Sequence, residues 1–152
     1  MSRENLYEGA EARSNRLRNL LLITHEHRDR KLIVFTQFAD TVHYLATHLQ
    51  TRGVSRLAAV TGDTDDPTRL AWRFSPVSND KRTQVTPDQE LDVLIATDVL
   101  SEGQNLQDAA IVVNYDLPWA VIRLVQRAGR VDRIGQQAET ILCYSLSSAR
   151  VF

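Results

Sequence analysis

The feature that most constrains this chain is a hydrophobic period that switches repeatedly along it. Leu32-Ile33-Val34-Phe35 is a short apolar run, β-branched and aromatic, with polar residues at both ends. It is too short for a helix and lacks the alternation of a half-exposed strand, so it reads as a strand buried on both faces. Immediately afterwards Phe38, Val42, Leu45 and Leu49 recur at helical spacing, one apolar stripe of an amphipathic helix ending near Gly53.

The switch is repeated. Arg56–Val60, Asp92–Ala96, Ala109–Asn114 and Thr140–Leu146 read as further strands. Thr68–Phe74 reads as a short helix after the turn-rich Thr61–Pro67, and Val121, Leu124, Val125 and Ala128 mark another helical stripe. Upstream, Leu6, Ala10, Leu17, Leu20, Leu21 and Thr24 recur at three- and four-residue steps within Glu4–Asp29, which reads as an N-terminal helix. Ser75–Gln89, polar and carrying Pro76 and Pro87, has the composition of a mobile loop. Apolar strands alternating with helices predict an α/β fold: a parallel sheet flanked by helices on both faces, with ligands at the carboxyl ends of the strands. The 152 residues suit a single domain, with 1–30 as a helix leading into a lobe over 31–152. The end just after a strand suits a piece of a longer protein.

Composition excludes several classes. No apolar run approaches the roughly 20 residues of a membrane span, and Met1–Ala12 is polar with both signs of charge, unlike a signal peptide. No membrane partner and a cytoplasmic location are therefore expected. Cys143 is the sole cysteine, which rules out an internal disulfide. His25 and His27 are two apart and face different ways on a helix, and His43 and His48 are five apart, so no metal site is expected.

Net charge is only −1, but the charges are sorted. Sixteen of the eighteen basic residues are arginine, suited to planar contacts with phosphate or carboxylate. Residues 84–108 carry six acids and no base, whereas residues 117–136 carry four arginines against the single acid Asp132. Such sorting points to a site rather than an evenly solvated surface.

The strand ends lead into polar segments: Thr36-Gln37-Phe38, Thr97-Asp98, Ser101–Asn105 and Tyr115–Trp119. Gly103 would let backbone amides approach a phosphate, or it completes a tight turn. If the helix near Trp119 continues through Gln126-Arg127-Ala128-Gly129-Arg130-Val131-Asp132-Arg133, then Gln126, Arg130 and Arg133 share one face. Two arginines a turn apart on a rigid support suit charge developing on a transferring phosphoryl group. The same pattern also describes a solvated arginine face paired with Asp132.

Three segments resolve this by resemblance. Lys31–Phe38, Ile95–Gln107 and Gln126–Arg133 resemble motifs IV, V and VI of superfamily 2 helicases, in that order, and Asn114–Trp119 resembles the stretch between V and VI. The Glu102-Gly103-Gln104-Asn105-Leu106-Gln107 form of motif V and Arg133-Ile134-Gly135-Gln136 are similar to Snf-type ATPases, among them the bacterial RNA-polymerase-associated kind. Gln104 stands where Snf-type sequences carry Leu. Glu102, where DEAD-box proteins carry Arg, argues against that branch.

The resemblance implies a RecA-like second lobe of an ATP-dependent nucleic-acid motor. Arg130 and Arg133 match the arginine fingers that reach the γ-phosphate of Mg²⁺-bound ATP, held by a first RecA-like lobe. Gln126, Gly103 and Asn105 match positions at the nucleotide and the interlobe network. Thr36, Gln37 and Thr97 match positions where nucleic acid, expected here to be double-stranded DNA, is gripped. A phosphate-cradling Gly-x-x-x-x-Gly-Lys-Ser/Thr is missing, since neither Lys31 nor Lys81 follows a glycine-rich turn. The chain alone is expected not to hydrolyse ATP. A second expectation stays open: a non-catalytic module of the same shape that binds nucleic acid or protein.

Overall fold

The computed structural model describes residues 10–101, 105–116, 121–132 and 136–146. Helix α1 spans Ala10–Glu26, strand β1 Lys31–Phe35, α2 Ala39–Thr51, β2 Leu57–Val60, α3 Pro67–Phe74 and β3 Val93–Ala96. A 3₁₀ turn, Asp98–Ser101, precedes β4 (Ala109–Asn114), α4 (Val121–Val131) and β5 (Leu142–Ser145). The five strands form one sheet in the order β2-β3-β1-β4-β5, and every pairing is parallel. This is the α/β architecture that the switching period predicts.

The continuous apolar strands divide by side-chain alternation into two cores. Leu32, Val34, Val93, Ile95, Ile111 and Val113 pack with Leu17, Leu20 and Ile23 of α1 and Val42, Leu45 and Leu49 of α2. Their neighbours Ile33, Phe35, Leu94, Ala96 and Val112 face the other way, against Ala71 and Phe74 of α3 and Val131 of α4. Each buried aliphatic side chain contributes about 1.5–3 kcal/mol. The three from α1 alone are then comparable with a large share of the ~5–15 kcal/mol that holds a domain together. Helix α1 is part of the fold. Its expected start at Glu4 lies outside the described residues, and Ile23, absent from the predicted stripe, is buried while Leu22 is exposed.

Local chemistry sets the element ends. Helix α2 closes on Gly53 at φ +91°, with Gly53 N donating to Gln50 O and Val54 N to Leu49 O, the paired bonds of a Schellman cap. Helix α3 begins one residue before the predicted Thr68 because Pro67 occupies its first position and the Asp66 carboxylate accepts Arg69 N at 3.0 Å. The second strand starts at Leu57, not Arg56, since Arg56 has φ +57° and cannot continue an extended chain.

Residues 75–92 contain no helix or strand, yet they are fastened to the body. Lys31 Nζ donates to Phe74 O at 2.5 Å and to Glu90 Oε1 at 2.7 Å. Arg82 Nη1 donates to both Glu90 oxygens at 3.0 Å, and Arg73 Nε reaches Gln89 O at 2.8 Å. The predicted irregularity is present, but these bonds tie down a segment whose composition suggests mobility. Among the described residues, no helix is long and apolar enough to cross a membrane.

Candidate functional site

Three strand ends meet around one buried arginine. Helix α4 carries Arg127 four residues before the buried Val131, so its guanidinium enters the sheet-facing side of the helix. An arginine there must be paired, because an unpaired buried charge costs several kcal/mol. Arg127 Nε donates to Asp98 Oδ1 at 2.7 Å and Nη2 to Asp98 Oδ2 at 3.0 Å, a two-point fork. Nη1 donates to Asn114 Oδ1 at 3.2 Å and to Asp116 O at 3.3 Å. The guanidinium carbon lies 5.5 Å from the Phe35 ring centroid. One side chain thus joins the ends of β1, β3 and β4 to α4.

Asp116 extends the network to β1. Its carboxylate accepts the Thr36 hydroxyl and, at 3.0 Å through Oδ1, the backbone amide of Gln37. Thr36 Oγ1 in turn accepts Phe38 N at 3.3 Å, so the entry into α2 is fixed by side chains from strand ends that are distant in sequence. Thr36 is fully buried.

The remaining expected residues take distinct places. Gln126 is exposed on α4, and Arg130, one turn beyond Arg127, is half-buried. Leu106 N donates to Arg130 O at 3.3 Å, which ties the segment before β4 to helix α4. Asn105 Nδ2 donates to Ser78 O at 3.3 Å, so part of its amide turns toward the loop after α3. Thr97 N donates to Val60 O at 3.0 Å at the end of β3, and Gln37 is half-buried. Gly103 and Arg133 lie outside the described residues.

Of the helical face expected to carry Gln126, Arg130 and Arg133 together, Gln126 and Arg130 lie on α4, and Arg133 lies outside the described residues. Helix α4 ends at Val131 and Asp132 is a bend, although Asp132 N still reaches Ala128 O at 2.8 Å. β-branched Val131 and then Asp132 are weak helix formers, which suits a helix that ends at Val131. The buried member of the arginine cluster, Arg127, pairs with Asp98.

Arg127, Asp98, Asn114 and Asp116 were not singled out by sequence reasoning as site residues. The available signal was positional. Residue 127 falls three after Leu124 and four before Val131, inside the apolar stripe, and the acid-only stretch 84–108 could supply its partner.

Comparison with known proteins accords with this geometry. Residues 12–135 match the model of the helicase conserved C-terminal domain. The chain is 36% identical over 111 residues to the uncharacterized ATP-dependent helicase YqhH of Bacillus subtilis, covering 73% of this chain and 18% of that protein. It is 32% identical over 127 residues to the ATP-dependent RNA helicase RhlB of Shewanella frigidimarina, covering 84% of this chain and 27% of the relative. The chain therefore spans only a fraction of these relatives. Among solved structures, the C-terminal part of the Fun30 ATPase domain superposes with a TM-score of 0.68 at 22% identity, covering 86% of this chain and 39% of that one, a likeness of fold.

Proposed function

Because this chain belongs to the helicase conserved C-terminal domain family, we propose that it is the second RecA-like lobe of an ATP-dependent nucleic-acid translocase of the Snf-type branch. Its partner is a first lobe that holds Mg²⁺-bound ATP. The observation that carries this reading is the double tie between the motif V and motif VI segments. Arg127 forks onto Asp98, and Leu106 N bonds to Arg130 O, so the Arg130 main chain is set by the same elements that end at the strand edge.

In this reading Arg130 and Arg133 stabilise charge on the γ-phosphoryl group once the lobes close. Gln126, Gly103 and Asn105 line the nucleotide and interlobe side. Gln37, Thr97 and the first turn of α2 meet the nucleic-acid backbone, where helix amides suit a phosphate. Thr36 serves this edge indirectly, since its hydroxyl is given to Asp116. ATP supplies the free energy when bound, and this chain's residues orient and neutralise charge. Without a first lobe the chain hydrolyses no ATP.

Support for the Snf-type branch and for duplex DNA comes from Glu102–Gln107 and Arg133–Gln136. The name of the RhlB relative favours a second substrate, RNA. ATP turnover by the complete protein, measured alone, with duplex DNA and with RNA, beside an Arg130→Ala variant, tests both. DNA-stimulated turnover that falls roughly 10³-fold in the variant is expected. Stimulation by RNA only overturns the DNA assignment. Turnover indifferent to Arg130 overturns the finger assignment, and its absence under all conditions favours the binding module.

A further inference from the structure

The segment after α3 closes its own turn, with Asn79 Nδ2 donating to Ser75 O at 2.7 Å, and also gives polar groups to a distant part of the chain. Asn79 Nδ2 donates to Asn105 O at 2.8 Å while Asn105 N donates back to Asn79 Oδ1 at 3.3 Å, a reciprocal amide pair. Asn105 Nδ2 also donates to Ser78 O. Three residues on, the Asp108 carboxylate accepts Val77 N at 2.8 Å and Ser78 N at 2.9 Å, and Asp108 N donates to Ser75 Oγ at 3.0 Å. Ser75 is fully buried, so this contact has no ready water substitute.

Each bond matches a side chain of one segment to the backbone of the other, or an amide to an amide. That is the arrangement of a template, because it specifies register as well as proximity. Residues 105–106 are also held from the opposite side, where Leu106 N meets Arg130 O at 3.3 Å. The end of motif V therefore lies between this segment and the motif VI helix. The far end of the 75–90 segment is secured independently by Lys31, Arg82 and Glu90.

We infer that residues 75–79 form a strap that sets the position of Asn105 relative to Arg130, with Asn79 as its positioning residue. Removing Asn79's amide frees residues 105–106 to shift while the strands on either side stay paired. The consequence for catalysis rests on the motor reading above: coupling between nucleic acid and ATP turnover weakens, while nucleotide binding by the first lobe does not.

The test compares the complete protein with its Asn79→Ala variant in two measurements. In amide hydrogen exchange, Asn105 should exchange roughly tenfold faster in the variant, with the amides of Leu94 and Val112 unchanged. Unchanged exchange at Asn105, or equal acceleration through β3 and β4, overturns the strap. In steady-state turnover, the ratio of nucleic-acid-stimulated to unstimulated rate should fall several-fold, whereas a general loss of folded protein lowers both rates alike and leaves that ratio unchanged. Faster exchange at Asn105 with unaltered stimulation overturns the coupling role. If the wild-type protein shows no nucleic-acid-dependent turnover, the motor reading fails and hydrogen exchange alone decides the strap. Should Asn79→Ala not fold, Asp108→Asn keeps one acceptor for the Val77 and Ser78 amides. It should speed exchange at those two sites selectively, and uniform exchange there again overturns the strap.

Discussion

Arg127 and Asp98 face each other across a two-point contact, 2.7 Å from Nε to Oδ1 and 3.0 Å from Nη2 to Oδ2, with the arginine side chain fully buried and the aspartate 18% exposed. The pair fastens α4 to the turn that follows β3. Since the two residues are 29 apart in sequence, the contact exists only when the sheet is assembled. Burying both charges is costly, and the fork, Asn114 and the Asp116 carbonyl offset that cost only while all remain in place.

Truncating Arg127 to Ala should therefore destabilise the chain by about 3–5 kcal/mol, because it removes packing and leaves Asp98 facing a partly dry site. Lysine should rescue little, since a single ammonium cannot reproduce the fork. The double variant Arg127→Met with Asp98→Leu should lose clearly less than the sum of the two single changes. Urea denaturation of the four proteins measures this. Strict additivity would mean that the pair carries no coupling.

A second prediction concerns Asp116, which collects the Thr36 hydroxyl and the Gln37 amide at the start of α2. Asp116→Ala leaves both donors unpaired, and the Thr36 hydroxyl has no access to water, so a loss of about 2–3 kcal/mol is expected. Adding Thr36→Val to that variant should restore part of the loss, because the stranded hydroxyl is gone. A double variant less stable than Asp116→Ala would show that the hydroxyl does not depend on this carboxylate. Thermal melts suffice to compare them.

These two networks also show where sequence reading stops. The strands were legible because Leu32–Phe35 and Ala109–Asn114 are apolar without alternation, and only a sheet covered on both faces explains that. The stripe Val42, Leu45, Leu49 and the glycine after it placed α2 almost completely. Arg127 was passed over because charge patterning weighs arginines as a group, whereas its role depends on which side of one helix it occupies and on an acid brought near by folding. Asn79 was hidden for a related reason. A polar loop looks mobile in sequence whether its amides meet water or, as here, Asn105. The helix end at Val131 was likewise not legible, because periodicity alone does not mark where a helix stops.

Acid should loosen the strap region through Glu90. Burial pushes its carboxyl up, but the hydrogen bond and charge of Lys31, with those of Arg82, outweigh that and hold it below the ordinary glutamate range. A carboxyl lowered in the folded state contributes stability that is fully present above its unfolded pKa and disappears as pH falls through the folded value. Glu90→Gln should thus be less stable than the wild type at pH 7, and the gap should close as pH falls through 4.5 and below. Denaturation midpoints of both proteins across that range provide the check. A gap that widens toward acid would contradict the assignment.

Arg130 and Arg127 sit one turn apart on α4, and they should fail in different ways. Arg127 is fully buried and Arg130 only half-buried, so Arg130→Ala should cost clearly less stability than Arg127→Ala. If it is a phosphoryl-stabilising arginine, the same change should reduce turnover of the complete protein roughly 10³-fold, with little effect on KM for ATP. Arg127→Ala should lose turnover in proportion to its unfolded fraction, and cooling to a temperature where it is folded should recover part of the activity. The comparison rests on measuring each variant's rate beside its melting curve. Equal rate losses at equal folded fraction would place both arginines in the same structural role and remove the case for Arg130 as a finger.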